Sequence, residues 1–306
     1  MEKIVISVVG PTAIGKTKLA IQIAQHYNAE IVSADSRQFF KEMCIGTAVP
    51  EKEELKAATH HFIQNKSILD SYSVGDFEKE ALDTIHKLHK ENSIVVLVGG
   101  SGLYVDAVTK GLDKFPKIDQ SIRENLNILL KSKGIKELQE QLKELDPQYY
   151  AKVDVENPHR IIRALEVCIG SGKPYSSFIT NKKNNRPFNT ITIGITADRE
   201  IIYDKINKRV DIMIKNGLVE EVKSLERYKH LNALQTVGYK ELFLFLNEEW
   251  TLDFAISEIK KNTRRFAKRQ QTWFKKNKET IWVKYDYNPE DLFPIIDYEL
   301  NTKQNV

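Results

Sequence analysis

A glycine-rich segment near the start of the chain has the pattern of a phosphate-binding loop, G-x-x-x-x-G-K-[ST]. It reads Gly10-Pro11-Thr12-Ala13-Ile14-Gly15-Lys16-Thr17. In such loops backbone N–H groups surround phosphate oxygens, the lysine reaches the terminal phosphates, and the last hydroxyl can hold Mg²⁺. An apolar run at 4–9 precedes the loop and helical apolar spacing follows it, which predicts a polyphosphate site at a helix N-terminus. The loop alone does not show whether that polyphosphate belongs to ATP.

Acidic and hydroxyl side chains follow the other predicted strands. Asp35 comes after the strand 31–34, Ser101 follows 94–98 through two glycines, and Asp198 follows 190–195. In a parallel sheet, ligands bind beyond the carboxyl ends of the strands. The most apolar strand ends in glycine and lacks the aspartate that organises Mg²⁺ in an ATPase. Asp35 is therefore either a Mg²⁺ ligand, as in a small-molecule kinase, or a base. The hydrogen-bonding side chains at 36–38 favour the base.

The histidines give no metal site by this reasoning. His60 and His61 are adjacent in a strand-like stretch, so their side chains point to opposite faces. His86 and His89 are three residues apart on a predicted amphipathic helix, and we expect both on its solvent side.

Composition restricts the class of protein and the compartment. The 306 residues are 41% hydrophobic and 29% charged, which is ordinary for a globular protein. Two cysteines, Cys44 and Cys168, give no disulfide framework and no cysteine-based zinc site, which suits a reducing cytoplasm. Because no apolar run approaches the length of a membrane span, we expect no membrane partner.

Alternating strands and helices predict an α/β fold, a parallel sheet with helices on both faces. We assign residues 1–112 to the first part of this core and 113–189 to a helical insertion. Residues 190–306 form the second part of the core and include a long helix at 252–276. Between 260 and 278 there are nine basic residues and no acidic one. Such a block is typical of nucleic-acid binding, although a solvated helix face has the same pattern.

A set of motifs in a fixed order then resembles the tRNA dimethylallyltransferase family of the bacterial type. Besides the phosphate loop, the motifs are Ser33-Ala34-Asp35-Ser36-Arg37-Gln38, Met43-Cys44-Ile45-Gly46-Thr47-Ala48, Tyr72-Ser73-Val74-Gly75-Asp76-Phe77, Val98-Gly99-Gly100-Ser101-Gly102-Leu103-Tyr104, Asn157-Pro158-His159-Arg160-Ile161-Ile162-Arg163-Ala164-Leu165-Glu166, Thr236-Val237-Gly238-Tyr239-Lys240-Glu241 and Ala267-Lys268-Arg269-Gln270-Gln271-Thr272-Trp273. They cover nearly the whole chain. The family usually has Thr at Ser101 and often has Asp at Cys44 and Lys at Val49.

The resemblance implies a P-loop NTPase-like fold and a prenyl transfer. The reaction would move a dimethylallyl group from dimethylallyl diphosphate to N6 of adenosine 37, in the anticodon loop of tRNAs that read codons beginning with U. The phosphate loop, residues 10–17, would bind the diphosphate together with Arg209, and Mg²⁺ would bind Thr17. The catalytic residues would be Asp35 as the base, Ser101 as the group that orients the amine, Lys16 and Arg209.

The resemblance also implies the residues that contact tRNA and the form of the enzyme. The tRNA-binding residues would be Asp35, Ser36, Arg37, Gln38, Ser101, Arg123, His159, Arg160, Ile161, Ile162 and Arg163. A monomer is expected. Three alternatives stay open: an adenylate dimethylallyltransferase acting on free nucleotides, a P-loop kinase of a small metabolite, and a non-catalytic RNA-binding protein.

Overall fold

The computed structural model describes residues 2–180 and 185–304, and within them a parallel sheet forms the centre of the first structural unit. This unit comprises Met1–Lys110 and Asn185–Val306. In the described residues the sheet has six strands in the order β3-β2-β4-β1-β5-β6. Their bounds are β1 (Ile4–Val9), β2 (Ile31–Ser33), β3 (His60–His61), β4 (Ile94–Gly99), β5 (Asn189–Thr196) and β6 (Ile281–Lys284).

Helices connect these strands and cover the sheet. The helices before the second unit are α1 (Lys16–His26), α2 (Lys52–Ala57), α3 (Val74–Leu88) and α4 (Gly102–Thr109). The second unit contains α5 (Gln120–Lys133), α6 (Ile135–Leu145), α7 (Pro147–Tyr150) and α8 (Pro158–Ser171). The chain then continues in α9 (Arg199–Lys215), α10 (Leu218–Ser224), α11 (Tyr239–Leu246), α12 (Leu252–Phe274) and α13 (Pro289–Gln304). In the described part of the chain, no helix combines the length and apolar character that crossing a membrane requires.

The central strand β1 is buried on both faces, which explains its continuous apolar sequence. Ile4, Ile6 and Val8 pack in a core with α1, while Val5 and Val9 pack in a second core with α3. This division follows from the two-residue period of a strand. The parallel register places the strand ends at one edge, because Val8 lies opposite Val98 of β4 and Ile193 of β5. The phosphate loop, Asp35 and Ser101 therefore emerge at the same edge.

The α/β architecture and the long helix predicted at 252–276 are confirmed, and α12 ends at Phe274, two residues before the predicted end. Helix α3 begins at Val74 because Ser73 and Asp76 form a capping box. The expectation that His89 faces solvent was wrong. The helix has ended at Leu88, and the buried His89 ring donates from Nε2 to the Ile4 carbonyl at 3.2 Å.

The second unit, Gly111–Asn184, is helical and has its own core. Leu126, Leu138 and Leu142 pack there with Ile161 and Leu165. The predicted insertion, 113–189, begins two residues later and ends five residues later than this unit. At its end, residue 189 already belongs to β5. Residues 181–184 of the predicted insertion lie outside the described residues.

A carboxylate of α10 fastens one loop of the first unit. Glu221 accepts the N–H groups of Cys44 (3.0 Å), Ile45 (2.7 Å) and Gly46 (3.0 Å), and also the Tyr239 hydroxyl (2.6 Å). Gly46 packs so closely on Tyr239 that an added Cβ would lie 2.6 Å from the ring. Glu221 thus joins the loop after β2 to the start of α11.

We predict that Glu221→Ala lowers the free energy of unfolding by about 2 kcal/mol, because three N–H groups and a hydroxyl lose a charged acceptor. The exposed Glu220→Ala, on the same helix, is the matched control. Urea denaturation followed by tryptophan fluorescence measures both. Equal effects of the two substitutions would contradict this role of Glu221.

Candidate active site

The phosphate loop is shaped by backbone conformations that few residues tolerate. Gly10 and Gly15 have φ values of +148° and +108°. A Cβ at Gly10 would also lie 2.8 Å from the Ile195 carbonyl oxygen, so glycine is required there for close packing on β5. Helix α1 begins at Lys16, directly after Gly15. The loop therefore directs backbone N–H groups and a helix N-terminus toward one space.

Two cations are withdrawn from bulk water beside this loop. Lys16 donates from Nζ to the Pro11 carbonyl at 2.8 Å. Burial lowers the pKa of Lys16 to about 8, Asp35 opposes that change, and Arg209 adds to it. Arg209 of α9 lies 3.3 Å from the Thr12 hydroxyl, to which it donates from Nη1. Burial also lowers the pKa of Arg209, against the effect of nearby Asp35 and Glu54. An anion bound here would compensate both cations for the hydration that they have lost.

Asp35 and Ser101 meet because their strands are neighbours. Ser33 of β2 lies opposite Val98 of β4, which brings the two strand ends together. The Ser101 hydroxyl accepts the Ser36 N–H at 3.1 Å and lies 3.0 Å from the Ser36 hydroxyl. Asp35 accepts the Arg37 N–H at 3.1 Å through Oδ1.

Asp35 lies where a cavity that we call the reaction cavity meets a second, the phosphate-loop cavity. The reaction cavity, of about 420 Å³, has a polar wall that includes Ser36 and Ser101 and an apolar wall that includes Val210 and Ile259. The phosphate-loop cavity, of about 480 Å³, is lined by residues 12–18 and by cations of α9. Both are lined by Thr12, Ala13, Asp35, Thr47, Gly100 and Arg209. A carboxylate thus separates an anion site from a site for an organic group.

Gln270 of α12 lines the reaction cavity and makes two long-range contacts that were not predicted from the sequence. Its side chain, 5% exposed, accepts the Thr12 N–H at 2.9 Å and donates to the Gly100 carbonyl at 2.9 Å. It therefore fixes the phosphate loop relative to the segment that carries Ser101. The sequence does indicate that Gln270 lies on the packed side of α12, because it continues the helical spacing of Ile259 and Phe266.

The side chains of Arg37 and Gln38 bind carbonyl groups of the protein. Arg37 donates from Nη1 to Asn232 and Ala233, both at 3.1 Å. Gln38 donates to Thr47 at 3.2 Å and to Ala48 at 2.8 Å. These contacts hold the loops around the reaction cavity, and Ser36 and Arg37 also line it.

Of the tRNA-binding residues predicted in the second unit, four are at least partly exposed and two are buried. Arg123 is exposed, Arg163 is partly exposed, and both pair with Glu166, while His159 and Arg160 are exposed. Ile161 and Ile162, in contrast to their predicted contact with tRNA, have their side chains in the core of the unit.

The basic segment 260–278 is divided between α12 and the turn that follows it. Lys260 pairs with Asp211, and Lys261 pairs with Glu258. Farther along, cations lie over exposed aromatic rings, with Arg269 5.7 Å from Phe266 and Lys276 5.2 Å from Trp273. Phe266, Arg269 and Trp273 also line the reaction cavity.

The sheet, the loop between β1 and α1 and the buried cations define a P-loop-like α/β protein that binds a phosphorylated ligand. Residues 38–277 match the IPP transferase family. The chain is 60% identical over 302 residues to the tRNA dimethylallyltransferase of Christiangramia forsetii, covering 99% of this chain and 100% of that one. It is 59% identical over 300 residues to the enzyme of the same name from Flavobacterium johnsoniae, covering 96% and 97% of the two chains.

Comparison with solved structures leads to the same family. The full-length tRNA isopentenylpyrophosphate transferase from Bacillus halodurans superposes with a TM-score of 0.72 at 36% identity, over 99% of this chain and 97% of that one. A eukaryotic dimethylallyltransferase shares the fold, with a TM-score of 0.82 at 24% identity, over 98% of this chain and 80% of that one. The chain belongs to the family of tRNA dimethylallyltransferases, and it is an enzyme that transfers a prenyl group.

We predict that affinity for dimethylallyl diphosphate, measured by calorimetry without tRNA, falls about tenfold between pH 7 and pH 9. Lys16 is charged below its pKa of about 8 and loses its charge above it, so its pairing with the diphosphate is lost as pH rises. Lys16→Met is expected to bind weakly and to lack this pH dependence. A wild-type profile without this fall, or one that Lys16→Met retains, would contradict the assignment.

Proposed function

We propose that this enzyme transfers the dimethylallyl group of dimethylallyl diphosphate to N6 of adenosine 37 in tRNAs that read codons beginning with U. The products are N6-(dimethylallyl)adenosine and diphosphate. The observation that carries the proposal is the place of Asp35, which lines both the cationic phosphate-loop cavity and the reaction cavity. Relatives named tRNA dimethylallyltransferase support the donor and the class of acceptor.

The phosphate-loop cavity stabilises the leaving group. As the bond between C1 and the diphosphate oxygen breaks, negative charge accumulates on the diphosphate. The loop N–H groups, Lys16 and Arg209 are already in place and desolvated, so they interact most strongly with this developing charge. Removing one such donor typically costs a factor of about 10²–10³ in rate.

Asp35 acts on the amine. N6 of adenine is a poor nucleophile because its lone pair is delocalised into the ring. As the N6–C1 bond forms and the C1–O bond breaks, N6 gives a proton to Asp35 and the electron pair of the broken bond leaves with the diphosphate. The Ser101 hydroxyl, 3.0 Å from that of Ser36, orients the amine. Alignment of N6 with C1 supplies a further large part of the acceleration.

The residues at the loop fit Mg²⁺ that is bound mainly through the substrate. Thr17 and Asp35 line the phosphate-loop cavity and offer oxygen atoms, which Mg²⁺ prefers. No cluster of three or more His, Cys, Asp or Glu suited to a metal occurs in the described part of the chain. Thr17 would therefore hold the ion together with diphosphate oxygens, and the ion would supply neutralising charge.

Exposed cations in each unit favour tRNA over a free nucleotide as the acceptor. In the second unit they include Arg160 and Arg123, and on α12 they include Lys268 and Arg269. Such groups bind the phosphate backbone, which a mononucleotide lacks. The target base must leave its stack to reach the cavity, which a single-stranded loop permits at modest cost. We further propose that the enzyme acts as a monomer in the cytoplasm.

We predict that Asp35→Asn lowers kcat for transfer to tRNA by about 10²–10⁴-fold, since the base that accepts the N6 proton is lost. Binding of an anticodon stem-loop should change no more than a few-fold. The matched control is Asp198→Asn, at the exposed aspartate that follows β5. Single-turnover transfer of radiolabel measures the rate, and a kcat reduced less than tenfold would contradict the role of Asp35.

A further inference from the structure

Glu166 of α8 is a carboxylate that the proposed reaction does not use. Its side chain is 10% exposed, and it lies between α5 and α8 in the second unit. One oxygen accepts Nε and Nη2 of Arg123 at 3.0 and 2.6 Å, and the other accepts Nη1 of Arg163 at 3.2 Å. A single shielded carboxylate is therefore shared by two guanidinium groups that come from different helices.

The two arginines are much less buried than the carboxylate that they share. The side chain of Arg123 is 49% exposed and that of Arg163 is 37% exposed. A guanidinium has five N–H donors, of which Arg123 directs two to Glu166 and Arg163 directs one. Glu166 therefore leaves three N–H donors of Arg123 and four of Arg163 unused, on side chains that solvent reaches.

An aromatic ring fixes the second arginine further. The guanidinium carbon of Arg163 lies 5.2 Å from the centre of the Phe115 ring, and Phe115 stacks on Tyr175 at 4.8 Å. Arg163 is therefore held both by Glu166 and by a ring, although it is partly exposed. The exposed His159 and Arg160 precede Arg163 by four and three residues on α8, which is the spacing of neighbours on one helix face.

We propose that Glu166 is a positioning residue for tRNA binding, whose carboxylate holds Arg123 and Arg163 in the orientation that binds backbone phosphates. The proposal rests on the tRNA acceptor proposed above. Long arginine side chains lose much rotamer freedom when they bind a phosphate. Because Glu166 restricts them before tRNA arrives, that entropy loss is smaller on binding.

If charge alone governed binding, loss of the Glu166 carboxylate would have the opposite effect on tRNA affinity. Removing the negative charge of Glu166 raises the net charge of the cluster, from +1 to +2 when both arginines are counted. If charge alone determined affinity, the neutral variant would bind tRNA more tightly. If orientation determines affinity, the neutral variant binds more weakly although its charge is more favourable.

The test compares Glu166→Gln with Glu124→Gln in the full-length enzyme. Glu124 is exposed on α5, so its substitution changes the charge of the same unit by the same amount without removing a partner of Arg123 or Arg163. Steady-state prenyl transfer gives KM for tRNA and kcat at saturating tRNA, with dimethylallyl diphosphate in excess. We expect Glu166→Gln to raise KM about tenfold with kcat within twofold of wild type, and Glu124→Gln to change neither.

A double-mutant cycle separates positioning from a structural role. In an Arg123→Gln background, Glu166→Gln should raise KM by less than half of its effect in the wild type, because one of the two groups that it orients is absent. An unchanged or lower KM in Glu166→Gln, an equal effect of Glu124→Gln, or full additivity in the cycle would overturn the proposal. Failure of the wild type to prenylate tRNA would instead overturn the proposed function.

Discussion

The site depends on the desolvation of Lys16 and Arg209 beside the phosphate loop. Withdrawing an ammonium and a guanidinium from water is unfavourable unless negative charge compensates it. Asp35 supplies part of that charge to both groups, and Glu54 supplies part to Arg209. In the proposed reaction the incoming diphosphate supplies the rest. The interaction proposed to bind the donor would then strengthen as the leaving group develops its charge, which is the requirement for catalysis rather than for binding alone.

The remainder of the first unit keeps these groups in register. The parallel sheet brings the ends of β1, β2 and β4 to one edge, which no single segment could do. Gln270 joins the phosphate loop to Gly100, and Glu221 joins the loop after β2 to α11. Both are polar side chains that satisfy backbone groups at the border of the reaction cavity. Their contribution is to position the reacting groups, since a small displacement of a reacting group has a large effect on rate.

Much of this arrangement could be predicted from local sequence. The phosphate loop, the apolar strands and the strand-end positions of Asp35 and Ser101 follow from motif and period, because each depends on neighbouring residues. Long-range contacts could not be predicted in this way. Gln270 binds groups that are 258 and 170 residues away, and its own neighbours carry no sign of those partners.

Two differences have local physical causes. No prediction was made for the segment that forms α13, which contains Pro294, a residue that normally argues against a helix interior. Its buried Leu292, Ile296 and Leu300 nevertheless form a stripe that packs on the core around α1. His89 was placed on the solvent side by extending the period of α3 beyond its last helical residue. There the chain turns and the ring reaches the Ile4 carbonyl.

Prenyl transfer to tRNA is tested by following radiolabel from dimethylallyl diphosphate in the presence of Mg²⁺. Unmodified tRNA with adenosines at 36–38 is offered beside AMP and ATP as parallel acceptors, and the modified nucleoside is identified by mass spectrometry. We expect label in tRNA as N6-(dimethylallyl)adenosine at position 37 and none in the free nucleotides. Label in AMP or ATP, or no transfer to tRNA with this donor, would contradict it.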